Sequence, residues 1–474
     1  MPKNIVIFSD GTGQVGGLRP DQRLSNIYKL YRATRVDPLN RIDPAEQITF
    51  YDPGLGTDED VRGRLRVVRA LRRILGAATG RGISYNITDC YEFLINHWQA
   101  GDRIWIFGFS RGAYTARCVA NVVALCGVPT RESDGSPLRR FRASTRAIAV
   151  EAVSRVYEHG AGYPLASFEN ERNELARRFR LRYASGGEAA PNADPYFIGV
   201  FDTVAALGTS GFRRLLLILL VALLAIAAAT AAALPLALLS GLAWSGIAGT
   251  LALAAALLVP LRFAWKARRT IRDFPEPGQA RAHYIRWKAD HYDRSLSGRV
   301  RYARHAIAID ETRADFPRVI WGRESVIRPK ESDRDEPLIQ LWFAGNHSDI
   351  GGSYPESESR LSDIALQWMI EQATDPDIPF HLAFDRDKLN LYPSAAGMQH
   401  CEIEAFKDRY PRLARLVSWK SKPRRRVLGA PLHRSVFERF ALAEVSHGGS
   451  LRPHRPETLR ADGRFAGLYP DASG

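Results

Sequence analysis

From Leu215 to Leu261 the chain runs for 47 residues without a charged side chain. A bilayer core of about 30 Å takes roughly 20 apolar residues per helix, so the run overshoots one span and fits two. Pro235, Ser240, Gly241, Ser245 and Gly246 punctuate its middle, where a tight helical hairpin would turn. Arg213 and Arg214 precede it, and Arg262, Lys266, Arg268, Arg269 and Arg272 follow it. Basic residues at both ends put both ends on the cytoplasmic side, which an even number of spans requires. The expectation is a transmembrane helical hairpin with basic flanks at 213–272. A hairpin that only dips into lipid is the alternative, favoured by the mildly apolar stretch Ala225–Ala233.

The remaining sequence has the character of a globular α/β protein. Short apolar runs at 4–8, 47–51, 103–107, 196–201, 305–309 and 338–343 alternate with helical spacing at 24–34, 83–98, 111–125 and 363–373. Continuously apolar strands that alternate with helices predict a mainly parallel sheet flanked by helices. The α/β unit is then split by the hairpin into 1–212 and 273–474. Residues 131–190, rich in Arg and Glu, are expected to form a helical cap-like insertion over a sheet edge. No secretory signal is read in MPKNIVIFSDGTG. The four cysteines are dispersed, which implies neither a disulfide framework nor a zinc site.

A balance of 66 Lys and Arg against 51 Asp and Glu gives a net charge of +15. Beside a membrane anchor, an anionic membrane surface is the expected partner, and the basic run Lys420–Arg426 adds to that attraction or is simply solvated. No nucleic-acid-binding motif accompanies the charge, and nucleic acid is not expected.

Gly108-Phe109-Ser110-Arg111-Gly112 is a G-x-S-x-G pentapeptide lying between the strand RIWIF and the helix RGAYTAR. That context is a nucleophile elbow, a sharp turn whose glycine neighbours let the backbone fold tightly around an exposed serine. A serine needs a base, and the base an orienting acid. Asp202 follows the strand YFIGVF, and His347 lies in the loop Ala344–Gly352 after LIQLWF, so both belong to the same sheet edge as Ser110. Ser110, Asp202 and His347 occur in the chain order of α/β-hydrolases. Asp310 and His305, at the two ends of HAIAID, are the alternative acid and base. The turn Ser9–Gly13 shares that edge, and the amides of Asp10, Gly11 and Arg111 are the candidate oxyanion donors. Asp10, His347 and Asp349 form a weak candidate metal set; no metal and no cofactor are expected.

The blocks FSDGTGQ, SNIYKLYRAT, YDPGLGT, GDRIWIFGFSRGAYTAR, GVFDTV, HAIAIDETRADF, LWFAGNHSDIGGSY and LSDIALQWM, in that order, resemble an uncharacterised α/β-hydrolase domain family that includes type VI secretion phospholipase effectors. HRSVFERF and RPETL are similar to its closing motif, and GGSY departs from its usual GGGY. The resemblance covers most of the chain outside 131–190 and the apolar run. It implies a Ser-Asp-His lipase carried on Ser110, Asp202 and His347, with glycerophospholipid esters as substrates. An internal hairpin departs from the habit of an injected effector. The expected whole is a hydrolase of lipid acyl esters anchored in the bacterial inner (cytoplasmic) membrane with both termini cytoplasmic. The competing readings are a tethered esterase or thioesterase on a non-lipid substrate and a catalytically silent membrane interaction protein. Protein partners are unknown from the sequence.

Overall fold

The computed structural model describes residues 2–14, 16–17, 23–54, 81–204, 211–285, 296–313, 318–322, 337–403, 429–465 and 467–469. The basic run Lys420–Arg426 lies outside them.

Six strands form one parallel sheet: β1 (Asn4–Ser9), β2 (Gln47–Asp52), β3 (Arg103–Phe109), β4 (Pro195–Phe201), β7 (Tyr302–Ala308) and β8 (Leu338–Phe343), in the order β2-β1-β3-β4-β7-β8. β1, β4 and β7 are buried along their whole length because helices cover both faces of the sheet. One face carries α1 (Asn26–Thr34) and α9 (Arg360–Ala373), which pack on Phe8, Phe107, Phe197 and Phe343. The other carries α2 (Arg81–His97) and α3 (Arg111–Cys126) over Ile5, Ile7, Ile104 and Ile106.

The 131–190 region is helical, with α4 (Ala143–Glu151) and α5 (Glu169–Tyr183) as its main elements. It does not sit over the sheet edge as a cap. Ile148, Val153, Phe179 and Tyr183 join the same core cluster as α2 and α3, making a second helical layer on that face. The C-terminal part adds α10 (Arg434–Ala441), whose Val436 and Phe440 pack with Ile307 and Trp342.

The apolar run forms two helices, α6 (Gly211–Ser240) and α7 (Trp244–Ala267), which pack along each other and turn at Gly241, where φ is +69°. Within α6, Ala222–Ser240 is long and apolar enough to cross a membrane; the apolar part of α7, Trp244–Leu258, is shorter. Leu223, Leu238, Leu239, Leu253, Leu258 and Trp265 are exposed. A small antiparallel ribbon, β5 (Arg268–Arg272) and β6 (Ala280–Tyr284), follows directly. It docks on the second helical layer: Arg281 pairs with Glu171, Arg178 donates to the Arg272 and Asp273 carbonyls, and the His283 ring stacks on Phe168 at 3.9 Å.

Candidate active site

Because all six strands run the same way, the residues after β1, β3, β4, β7 and β8 share one edge. The strand order reverses between β1 and β3, which opens a crevice at the carboxyl ends there. Ser110 sits beside that point, between β3 and α3.

Ser110 has φ 59° and ψ −121°, a left-handed conformation that a non-glycine residue adopts only when its surroundings hold it. Its amide donates to the Phe201 carbonyl at 3.1 Å, tying the elbow to the end of β4. The flanking glycines are required by close approach. A Cβ on Gly108 would lie 2.5 Å from the Gly112 carbonyl oxygen, and one on Gly112 would run into the backbone carbonyls of Ser9 and Asp10.

His347 opens a short helix, α8 (His347–Gly351), after β8. Asn346 caps it: its side-chain oxygen accepts from the Ser348 and Asp349 amides, while the Asp349 carboxylate accepts from the Asn346 amide at 3.0 Å. The His347 ring packs on Phe109 at 4.7 Å, with Nε2 2.8 Å from Ser110 Oγ and Nδ1 2.6 Å from Asp202 Oδ2. Asp202 is fully buried, and its other oxygen accepts the Ala308 amide at 2.9 Å. Serine, imidazole and carboxylate thus form one hydrogen-bonded chain, the arrangement that lets a histidine take a proton from a serine.

The alternative pair is engaged elsewhere. Asp310 is buried against His454 (3.0 Å) and accepts the Gly345 amide at 2.7 Å. Burial opposes its ionisation, but the His454 charge and hydrogen bond, the Gly345 amide and Arg439 outweigh that and hold its pKa below the usual value. His305 lies within the sheet, with Nε2 accepting the Thr203 amide at 3.2 Å and Nδ1 3.2 Å from Gln340 Oε1.

Of the proposed oxyanion donors, two are already used. The Asp10 amide donates to the Asp52 carbonyl at 3.0 Å, and the Gly11 amide to Asp10's own carboxylate at 2.7 Å. The Arg111 amide, in the first turn of α3, has no acceptor within the helix and remains the candidate. Asp10 instead acts as a buried acceptor for Ser25 (2.5 Å) and Tyr51 (2.7 Å), and burial raises its pKa to about 6 despite those bonds. No cluster of three metal-ligating side chains occurs among the described residues. Asp349 is committed to His400, whose Nδ1 lies 2.7 Å away.

Sequence reasoning missed the supports of the histidine loop. Glu311 accepts the His347 amide at 3.3 Å and pairs with Arg313. His400 bridges Asp349 and Glu358, and stacks on Tyr354 at 3.5 Å. Burial works against charging His400, but its bonds to the two carboxylates outweigh that and raise its pKa. Glu311 sits in the quoted HAIAIDE block, whereas nothing near His400 in the sequence marks it.

A parallel sheet covered by helices on both faces places the chain in the α/β class. Within that class, the chain belongs to the family described as type VI secretion system phospholipase effector, Tle1-like, catalytic domain. That family's model matches residues 3–231 and 265–372, more than half of the chain. Its match breaks inside the α6–α7 pair. The uncharacterized protein YEL023C of Saccharomyces cerevisiae is 29% identical over 217 residues, which are 44% of this chain and 27% of that protein. The crystal structure of an uncharacterized protein from Pseudomonas aeruginosa is 17% identical, with a TM-score of 0.36 over 82% of this chain and 48% of that one. The Tle1 effector bound to the VgrG spike of the type 6 secretion system is 16% identical, with a TM-score of 0.28 over 76% and 53%. The chain thus spans about a quarter of the yeast protein and about half of each solved chain.

Proposed function

We propose that the protein is a membrane-anchored serine hydrolase that cleaves acyl esters of lipids, with glycerophospholipids as the substrate class. The observation that carries this reading is the unbroken chain from Ser110 Oγ through His347 to Asp202, at 2.8 and 2.6 Å. His347 takes the serine proton as Ser110 attacks the ester carbonyl, and Asp202 stabilises the resulting imidazolium. The oxyanion is held by the Arg111 amide and the positive end of α3, the alcohol leaves with the proton from His347, and water then releases the fatty acid. Membership of a phospholipase family supports the lipid class.

The anchor is the α6–α7 pair. Trp244 and Trp265 stand at the two ends of α7, 21 residues apart, and both are exposed. At 1.5 Å per residue they are about 31 Å apart, the spacing of the two interfacial aromatic belts of a bilayer. That spacing favours a spanning hairpin over one that dips. Arg268, Arg272 and Arg281 lie exposed just beyond it, where they would meet anionic headgroups on the cytoplasmic side of a bacterial inner membrane.

The first test is a fluorophosphonate probe on the detergent-solubilised protein beside Ser110→Ala and His347→Ala. Labelling should vanish in both variants, and an unlabelled wild type beside a labelled control hydrolase refutes the enzymatic reading. Removing 213–266, which spares β5, should leave short-chain ester hydrolysis intact and reduce turnover on phospholipid vesicles. Undiminished vesicle turnover would refute a role for the pair in reaching lipid, whereas short-chain ester hydrolysis without any vesicle turnover in the full-length protein would point to a tethered esterase on another substrate. In a Cys401→Ser background, a cysteine placed at Gly241 should react with an impermeant maleimide from the periplasmic side; protection from that side would show a hairpin that dips.

A further inference from the structure

We propose that His305 is a positioning residue for the acid of this site: a neutral imidazole, protonated on Nδ1, that holds the Asp202 turn in place by accepting the Thr203 amide. The inference rests on the triad reading above, because its consequence is the placement of Asp202 against His347.

Asp202 has φ +35°, a backbone conformation that a non-glycine residue keeps only where neighbours hold it. Four bonds do so. The Asp202 amide donates to Ala306 (2.7 Å), the Ala308 amide to Asp202 Oδ1 (2.9 Å), the Val319 amide to the Thr203 carbonyl (2.9 Å), and the Thr203 amide to His305 Nε2 (3.2 Å). Among these four, besides the bond to Asp202's own carboxylate, the last depends on a side chain that titrates, the His305 imidazole.

The protonation state of that side chain is dictated from both ends. Gln340 Nε2 donates to the Trp321 carbonyl at 3.1 Å, and its Oε1 accepts the Trp321 amide at 2.9 Å, so the backbone of Trp321 sets which way the Gln340 amide faces. The same Oε1 faces His305 Nδ1, which must therefore carry a proton. Nε2 faces the Thr203 N–H, which can only donate, so Nε2 must present its lone pair. An imidazolium would set one N–H against another. His305 and Gln340 are 1% and 2% exposed, so water does not substitute for either partner.

Among the described residues, charged groups face the imidazole from two elements. Arg117 of α3 lies 4.5 Å over the Trp321 ring, whose edge meets His305 at 5.6 Å, and this cation opposes a second positive charge. Asp202, at the end of β4, favours one, but its carboxylate is already bound by His347 and the Ala308 amide. The motif HAIAID thus serves both limbs of the site, with His305 and the Ala308 amide on the acid and Asp310 on the histidine loop through Gly345.

The test uses the full-length protein in detergent with nitrogen-15-labelled histidine. His305, identified by its loss in His305→Gln, should show a neutral Nδ1–H tautomer unchanged from about pH 5.5 to 8. The low-field Nδ1 proton of His347, bonded to Asp202, should disappear in His305→Leu and persist in His305→Gln, whose Oε1 can accept the Thr203 amide. On a short-chain ester, kcat of His305→Leu should fall about 10- to 100-fold with little change in KM, as for residues that orient a functional ligand, and His305→Gln should recover most of it. An Nε2–H tautomer, a titration within that range, or a Leu variant with wild-type kcat and an intact low-field proton would overturn the proposal. The tautomer is read on the wild type, so it stands even where the Leu variant misfolds. If the tautomer and proton are as expected while the fluorophosphonate probe fails to label, the hydrolase reading falls and the positioning of Asp202 by His305 survives.

Discussion

Asp202→Asn tests the acid of the site more sharply than removal of its side chain, because the surroundings decide how the new amide must face. The Ala308 amide needs an acceptor where Asp202 Oδ1 now lies, so the Asn oxygen takes that place. The NH2 group then points at His347 Nδ1, which must turn from donor to acceptor. The imidazole proton moves to Nε2, 2.8 Å from Ser110 Oγ, and the histidine donates to the serine instead of accepting from it. A base in the wrong tautomer cannot start the reaction. By comparison with serine hydrolases altered in this way, kcat should fall about 10⁴-fold, or about 5.5 kcal/mol of barrier. Asn matches Asp in shape, so the thermal midpoint should move little. The assays are the rate of fluorophosphonate labelling and short-chain ester hydrolysis, with Asp310→Asn as the parallel variant. Asp310 is bound to His454 and Gly345, so its loss should cost stability more than rate. A drop of less than tenfold in Asp202→Asn, or a larger one in Asp310→Asn, refutes the assignment.

Gly112→Ala should destabilise the protein by about 1–3 kcal/mol and abolish labelling, because the new methyl meets the Ser9 and Asp10 carbonyls; Gly187→Ala, with open space around it, is the control for thermal unfolding. Asp10, with a folded pKa of about 6 against 3.8, binds its proton more tightly when folded. Its contribution therefore falls as pH rises from about 4 to 6, by at most about 3 kcal/mol, and Asp10→Asn should flatten the thermal midpoint across that window. His159 has the opposite sign: burial, then the charge of His283, lowers its pKa to about 4, so its contribution is present above about 6.5 and is lost as pH falls toward 4. Acidification should release the β5–β6 ribbon from the second helical layer, read as faster proteolysis at Arg268–Arg272, and His159→Gln should weaken that pH dependence, the remainder coming from His283, whose pKa burial also lowers.

The parts of the site that were legible in the sequence are those set by local chemistry. Gly108 and Gly112 announce a tight turn, and the continuous apolar strands announce a parallel sheet whose carboxyl edge gathers Ser110, Asp202 and His347. What was not legible depends on register and on contacts between distant segments. The Asp10 amide is consumed because β1 pairs with β2 so that Ser9 stands opposite Asp52. Nothing in DGTGQ reveals that pairing. His305 reads as a rival base from its sequence and becomes a structural partner only because β7 lies between β4 and β8. The helical layer at 131–190 was misplaced for a related reason. Its apolar positions are sparse, so the sequence says that it is helical without saying which face it covers. Boundaries moved where caps decide them: α1 begins at Asn26 because the Ser25 side chain accepts the Tyr28 amide.

The position of the apolar pair in the topology bears on how a lipid would reach the serine. A parallel connection from β4 to β7 must leave the sheet at its carboxyl edge and return at its amino edge. In this chain that connection carries α6, α7 and the β5–β6 ribbon, and it departs immediately after Asp202 and Thr203. Residue 211, where α6 starts, is seven residues beyond Val204, a reach of at most about 25 Å. The apolar pair is therefore tethered to the acid of the proposed triad, while the ribbon at its far end is fastened to the second helical layer by Arg178, Arg281 and His283. As the anchor proposed above, a pair held at both ends would restrict how the rest of the molecule can turn against a bilayer. On the proposed reading, substrate would then arrive by lateral diffusion toward the carboxyl edge, and the rate on vesicles would depend on these fastenings as well as on the triad.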